Sequence, residues 1–388
     1  MKRSHKLSRL VAALVFSAAL PLAANADINV GVILSLTGPG ASLGQPEQQA
    51  VKLWPDSIAG EKLNVTVLND ATDVSNASKA AAKLVAENNV DIIIGSSLTP
   101  PSLTITEVAA QAKTPVISLG GGSAIVEPQE GHRKWAFKVS APEKYAVKLI
   151  LEHMQKNKIA TAGLISITTA YGEGYVKAFE QMTPSYNIKV SGVERYNQTD
   201  QSVIAQVTKL ALPKPEAVFI ISAGTPGALP QIELKKRGYK GLIYQTQGVA
   251  NNDFLRVGGK DVEGAYIALS PLMVASQLDE SNPIRKPAMA FNKVFEEHNG
   301  AGSASIFAAS AWDAMLILKH AAPQALKVAK PGTVEFRTAL RDAIESSRNV
   351  VTSTAVYNFS DKDHNGVDER SQVIARIENG KWVYVKQD

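Results

Sequence analysis

The stretch Val90–Ser123, VDIIIGSSLTPPSLTITEVAAQAKTPVISLGGGS, decides how the chain folds. It opens on a short apolar run, Val90–Gly95, bounded by turn residues, which predicts a buried strand. A hydroxyl-rich loop follows, Gly95-Ser96-Ser97-Leu98-Thr99-Pro100-Pro101-Ser102, with two prolines where a helix would begin. Proline is favoured in a first helical turn, where its missing N–H is no loss. Pro101–Ala112 is therefore predicted as a helix and Pro115–Leu119 as a second strand, closed by three glycines. Strand, helix and strand at this spacing make a βαβ unit, and such units build parallel sheets.

Outward from this unit the same alternation continues. Toward the amino end, Ile28–Leu36 and Leu63–Asn69 read as strands, Val74–Asn88 as a helix, and Gly44–Ala59 as a helix awkwardly broken by Pro55. After Pro142 the rhythm restarts with a helix at Glu143–Gln155 and a strand at Thr161–Ile167. It runs on through Gly172–Met182, Ile188–Val193, Ser202–Ala211, Ala217–Ser222, Leu229–Arg237 and Gly241–Gln245. Beyond Pro271 come helices at Pro283–His298, Ser303–His320 and Val334–Ser346, then strand signals at Thr354–Phe359, Gln372–Glu378 and Trp382–Val385. The pattern predicts an α/β protein of two doubly wound lobes joined by three hinge crossings, near Val139–Glu143, Ala268–Leu272 and Val350–Ser353. One lobe would hold 27–141 and 271–351, the other 142–270 and 352–388. In such folds a ligand sits beyond the carboxyl ends of the strands, so each post-strand loop is a candidate contact.

Composition agrees. A chain of 388 residues, 45% apolar and 20% charged, is long enough for two cores and too apolar for disorder. The absence of cysteine excludes disulfides, thiol catalysis, Cys-ligated zinc and a lipid anchor on Cys. Lys2, Arg3, Lys6 and Arg9 precede an apolar run, Leu10–Ala23, and Ala24-Asn25-Ala26 offers a small-x-small cleavage site. Residues 1–26 are thus expected to be a cleaved signal peptide directing export to the periplasm. Without them the formal charge falls from +5 to 37 basic against 36 acidic residues, which gives no reason to expect nucleic acid.

Five loops carry the chemistry. Thr37–Gly44 is glycine-rich but lacks the spacing of a dinucleotide fingerprint and the acidic residue that should follow it. In Gly95–Ser102, Thr99 is placed to cap the next helix; hydroxyls beside a helix amino end can seat a carboxylate, or simply cap. Ser118–Ser123 exposes backbone N–H groups, and Gln245–Val249 offers neutral amides and hydroxyls. Tyr171-Gly172-Glu173-Gly174 opens a helix, where the Tyr is either a surface aromatic or a ligand contact. Thr225, beyond the strand Ala217–Ser222, completes the candidates. The six histidines have no metal-site spacing, and no Walker loop, nucleophile elbow or zincin motif is present. Asp361–Gly366 mimics the start of a calcium loop, but its twelfth position is Gln372, which favours a polar turn. No cofactor or metal is expected, and no catalytic acid–base pair stands out.

The ordered loops, Ile28–Gly44, Asn69–Asp73, Ile92–Ser102, Pro115–Ser123, Tyr171–Gly174 and Gln247–Val249, resemble periplasmic solute-binding proteins of the branched-chain amino-acid type. The resemblance implies a two-lobed protein, not an enzyme, that closes on a small ligand and hands it to an ABC permease. It implies carboxylate contacts at Thr99 and Ser102 and at the backbone of Gly120 and Gly122. Ser123 would substitute for a hydroxyl that the family often has at Gly122, Tyr171 is the second-lobe aromatic, and Leu43 replaces a first-loop aromatic. Family members that bind amino acids carry an acidic residue where Gln247 stands, to pair with the ammonium. A neutral amide compensates a buried ammonium poorly. The expected ligand is therefore a small carboxylic acid with an aromatic or otherwise apolar body, the expected state a monomer. The alternatives are an amino acid held through Asp253 or main-chain carbonyls, and a sensor read by a signalling receptor.

Overall fold

The computed structural model describes residues 27–386, so the expected signal peptide lies outside the described residues. Strand β1 (Ile28–Leu34) is buried along nearly its whole length, as a strand covered on both faces must be. It pairs in parallel with β3 (Glu61–Asn69) on one side and β4 (Ile92–Gly95) on the other, Val30 lying opposite Val65 and Ile92. With β2 (Ser57–Ile58), β5 (Val116–Ser118) and β6 (Ala136–Lys138) the sheet order is β2-β3-β1-β4-β5-β6. Only the two-residue β2 runs antiparallel.

The helices between these strands are α1 (Ala41–Val51), α2 (Val74–Ala86) and α3 (Thr99–Gln111). Asp73 caps α2 by accepting from the Asn76 N–H at 2.8 Å, and Ala77, Ala80, Ala81 and Leu84 form its buried stripe. Helix α1 starts earlier than expected and ends at Val51, so Pro55 lies beyond it, while Pro46 is inside. Gly44 lets α1 meet the end of β1: a Cβ there would lie 2.3 Å from the Ser35 carbonyl oxygen.

The second lobe contains α4 (Glu143–Lys156), β7 (Thr161–Ile167), α5 (Ala170–Met182), β8 (Lys189–Tyr196), α6 (Ile204–Ala211), β9 (Ala217–Ile221), α7 (Ala228–Lys236), β10 (Leu242–Thr246), α8 (Asn252–Gly258) and β11 (Tyr266–Leu269). After β11 the chain makes α9 (Arg285–Asn299), α10 (Ile306–Ala325) and α11 (Val334–Glu345). The short strands β12 (Val350–Val351) and β13 (Val356–Tyr357) follow, then β14 (Val373–Glu378) and β15 (Lys381–Tyr384). The second sheet has the order β15-β14-β11-β10-β9-β7-β8, with β14 and β15 antiparallel at one edge. Helix α10 returns to the first lobe, where it packs on α1. No helix among the described residues is long and apolar enough to cross a membrane.

Two of the crossings differ from expectation. Residues 271–277 stay on the second lobe: Gln277 donates to the Trp382 carbonyl at 3.0 Å and accepts from the Tyr384 N–H at 2.8 Å. The chain after α11 stays on the first lobe beyond Val350–Ser353. β12 and β13 pair only with each other, Phe359 lies edge-on to Phe137 of β6, and His364 stacks on the same ring. The third crossing therefore follows Gly366. The aromatic residues of 357–364 need the apolar end of β6 for burial, and a short hairpin reads from sequence like part of a sheet.

Asp313 of α10 fixes this returning segment. Its fully buried carboxylate accepts from the Thr352 hydroxyl (2.7 Å) and from the backbone and side chains of Ser353 and Thr354 (2.5–3.0 Å). Burial raises its pKa, and these donors oppose the rise.

Candidate functional site

The carboxyl ends of both sheets face each other across a narrow cavity of about 30 Å³. From the first lobe come Leu43 at the start of α1, Ser97, Leu98 and Thr99 beyond β4, and Leu119 and Gly121 beyond β5. Tyr171 opens α5, Ala223 follows β9, and Gln247 and Gly248 follow β10. Ser140, in the first crossing, and Ile306 and Phe307, at the start of α10, complete the wall. The lining is mostly apolar with a few polar groups, the usual composition of a small-molecule site.

The lobes are closed on this cavity. The Asn251 side chain donates to the Ser42 carbonyl at 3.2 Å across the gap. Gly121 leaves room for Tyr171: a Cβ at 121 would come within 2.7 Å of the ring.

Each expected contact has a definite place. Leu43 is buried in the wall. Thr99 does not cap α3; Leu98 is the cap residue, and Thr99 is the first helical residue. Its hydroxyl oxygen instead accepts from the Gly122 N–H at 2.9 Å, which leaves the hydroxyl proton to be donated elsewhere. Ser102 does not reach the cavity. It bonds the Ser96 N–H and carbonyl, both at 3.1 Å, and accepts from Ser118 at 2.8 Å. The Gly120 N–H is taken by the Ser118 hydroxyl at 3.1 Å, so neither expected glycine N–H is free, whereas Gly121 between them lines the wall. Ser123 gives its N–H to Glu143 at 2.9 Å and also hydrogen-bonds that carboxylate with its hydroxyl. Thr225 sits half-buried in a short 3-10 turn off the cavity. Asp253 is at the surface, paired with Arg256 at 2.9 Å, and does not turn inward.

Tyr171 and Gln247 define the second-lobe face. The Tyr171 hydroxyl is buried without a hydrogen-bond partner, and burial pushes its pKa up to about 12. Gln247 accepts at Oε1 from Gln372 Nε2 at 3.0 Å. Gln372 Nε2 also donates to the Ser371 carbonyl at 3.0 Å, which fixes the sense of its amide. The group that Gln247 keeps free is therefore its NH₂, a donor.

Behind the β4 loop lies a buried polar cluster. Ser97 Oγ accepts from the Ser35 N–H at 3.0 Å and hydrogen-bonds Glu47, whose other carboxyl oxygen has no partner. Burial raises the Glu47 pKa well above the ordinary carboxylate value, with the Ser97 hydrogen bond opposing it. Asp70 accepts from Ser35 Oγ at 2.7 Å, from the Thr72 N–H at 2.8 Å and from the Ser96 hydroxyl. On the returning segment, Asp363 accepts from the N–H groups of Asn365 and Gly366, both at 2.9 Å, and so closes a polar turn.

Several wall residues escaped the sequence reading. Ser97, Leu98, Leu119, Gly121 and Gly248 lie inside the loops it singled out, next to the residues chosen. Ile306 and Phe307 carry no strand-end signal; the usable clue was Ser305, whose side chain caps α10 beside two large apolar residues. Gln372 reaches the site only through the Gln247 side chain and has no local signature.

A sequence model described as "Periplasmic binding protein" matches residues 27–381. The chain belongs to that family. Periplasmic binding proteins are solute-binding proteins, not enzymes. The crystal structure of an extracellular ligand-binding receptor from Rhodopseudomonas palustris HaA2 is 41% identical, with a TM-score of 0.90, covering 93% of this chain and 100% of that one. A Leu/Ile/Val-binding protein homolog 3 of Brucella melitensis biotype 1 is 22% identical over 91% of this chain and 93% of its own. A solute-binding protein of an R. palustris ABC transporter, solved in complex with benzoate, shares the fold at 19% identity and a TM-score of 0.76, covering 92% and 95% of the two chains.

Proposed function

We propose that this periplasmic binding protein takes up a small carboxylic acid with an apolar body. The observation that carries the reading is the orientation of Gln247. Its oxygen is occupied by Gln372, so the end it keeps free is a hydrogen-bond donor, suited to an acceptor and unsuited to an ammonium. No wall residue of the cavity carries an acidic side chain, and the nearby candidate Asp253 is engaged at the surface. The free Thr99 proton adds a second donor from the opposite lobe. The apolar part of the ligand would lie among Leu43, Leu98, Leu119 and Phe307.

In this reading an open form accepts the acid against the Thr99 loop, and closure brings Tyr171 and Gln247 over it. Excluding water strengthens the hydrogen bonds around the anion. The mature protein, freed of residues 1–26 in the periplasm, delivers the ligand as a monomer to the membrane subunits of an ABC importer. Similarity to proteins named for Leu/Ile/Val and to one solved with benzoate does not choose between ligand classes, and the reading rests on the Gln247 donor.

The test is a thermal-shift screen of residues 27–388 against aromatic and aliphatic carboxylic acids and against the natural amino acids. A ligand at 100 times its Kd stabilises by about 2.7 kcal/mol, enough to move Tm by a few degrees. Stabilisation by acids is expected; stabilisation by amino acids alone overturns the reading.

A further inference from the structure

Lys138, the last residue of β6, is fully buried, and its ammonium lies within 4 Å of no carboxylate among the described ion pairs. A lysine in such a place is costly unless its charge serves something. Its Nζ donates to two carbonyl oxygens, those of Gly121 at 3.2 Å and Ser140 at 2.5 Å. Gly121 and Ser140 both line the ligand cavity. The positive charge therefore stands one residue's thickness behind the wall.

The hydrogen bonds lead from Lys138 into the cavity. The Gly121 carbonyl that receives the ammonium shares its peptide unit with the Gly122 N–H. That N–H donates to Thr99 Oγ1 at 2.9 Å, and the Thr99 proton is free to point inward. Donation to a peptide oxygen polarises the peptide and makes its N–H a stronger donor, so successive bonds reinforce each other. The chain of donors ends where an anionic oxygen would sit.

We propose that Lys138 is the charge that selects the ligand: held against the Gly121 and Ser140 carbonyls, it favours a bound carboxylate over an uncharged molecule of the same shape. The proposal rests on the carboxylic-acid reading above and names the residue that enforces it. The charged groups around Lys138 are Glu143 of α4, Glu127 before β6 and Asp363 of the returning segment, all of which support its protonation. Glu143 is itself engaged by the N–H and hydroxyl of Ser123, and Tyr171 and Tyr175 nearby are held neutral by burial. Burial outweighs the three carboxylates and draws the Lys138 pKa down to about 8.

The experiment compares benzoate and 4-methylvalerate with benzamide and 4-methylvaleramide, by calorimetry, on the wild-type protein and on Lys138→Gln and Lys138→Met. The expected result is a loss of about tenfold or more in affinity for the acids and little change for the amides. An equal loss for acids and amides makes Lys138 a structural pin and overturns the proposal. If the wild-type protein binds neither acid more tightly than its amide, the carboxylic-acid reading itself fails, and the proposal with it. The second readout needs no variant. An anion beside Lys138 raises its pKa, so near pH 8 acid binding should take up a fraction of a proton, seen as a dependence of binding heat on buffer ionisation. Proton uptake by the wild-type protein, absent in Lys138→Gln, supports the assignment; none in the wild-type protein overturns it even if the variants fail to fold.

Discussion

Gln372 and Gln247, separated by 125 residues of chain, share a buried hydrogen bond of 3.0 Å that decides which end of the Gln247 amide meets the cavity. The bond turns a residue of ambiguous polarity into a donor. Because Gln372 is held in turn by the Ser371 carbonyl, the sense is set by backbone and does not depend on a ligand.

Gln247→Glu should therefore reverse the preference of the site. The new carboxylate keeps the Gln372 hydrogen bond but presents an acceptor with negative charge. Acid ligands should weaken by about 30-fold or more, from ~2 kcal/mol for a mismatched buried charge, while amino acids gain. Calorimetric titration of both ligand classes checks this; unchanged selectivity would place the discriminating group elsewhere.

Thr99 and Ser102, two hydroxyls on one helix turn, should respond differently. Thr99→Ala removes the donor to the ligand and the acceptor of the Gly122 N–H, and should weaken an acid by about tenfold, with Thr99→Ser restoring most of it. Ser102→Ala instead orphans the Ser96 N–H and the Ser118 hydroxyl, and should lower unfolding stability by about 1–3 kcal/mol with a smaller effect on affinity. Urea melts alongside binding curves separate the two.

Glu47 makes stability depend on pH in a direction opposite to an ordinary paired carboxylate. Its folded pKa lies above its unfolded one because of burial. The folded state therefore holds a proton that the unfolded state releases, and stability falls as pH rises from the unfolded pKa of about 4.5 toward the folded value. Glu47→Gln, neutral at every pH, should remove this fall. Its advantage over wild type in urea melts should be large at pH 8 and shrink near pH 4.5. A constant difference between the two proteins would show that Glu47 does not titrate in this way.

Asn251 links the lobes through its donor to the Ser42 carbonyl and separately caps α8 by accepting from the Phe254 N–H at 2.8 Å. Asn251→Asp keeps the cap and loses the interlobe bond. A less populated closed form lowers apparent affinity in proportion, so ligand dissociation should quicken while Tm changes little. Small-angle scattering should show a larger unliganded radius than wild type; an identical radius and off-rate would mean that this contact does not bias closure.

The fold was legible because parallel strands buried on both faces leave dense apolar runs, such as Ile92–Ile94, between turn residues. The loops at their ends were legible for the same reason, since topology alone puts them at the cleft. Direction within a loop was not. Thr99 and Ser102 look alike in sequence, yet one faces the cavity and the other the end of β4, because the β4 loop turns back on itself before α3 begins. Side chains brought in by the returning segment, Phe307 from α10 and Gln372 from the tail, depend on packing between distant elements. The late third crossing has the same origin: Thr354–Phe359 reads as a strand by composition, but Phe359 and His364 are kept on the first lobe by the Phe137 ring.

The tail that supplies Gln372 also sets an order of events during synthesis. A ribosome delivers the amino end first, and every strand-end residue of the cavity wall has emerged by Gly248, with Ile306 and Phe307 following. Until Ser371 and Gln372 appear, nothing fixes the Gln247 amide, and a nascent chain can build its walls without yet being able to tell an acid from an amine. Discrimination between an acid and an amine then waits for Ser371 and Gln372, after the walls are in place.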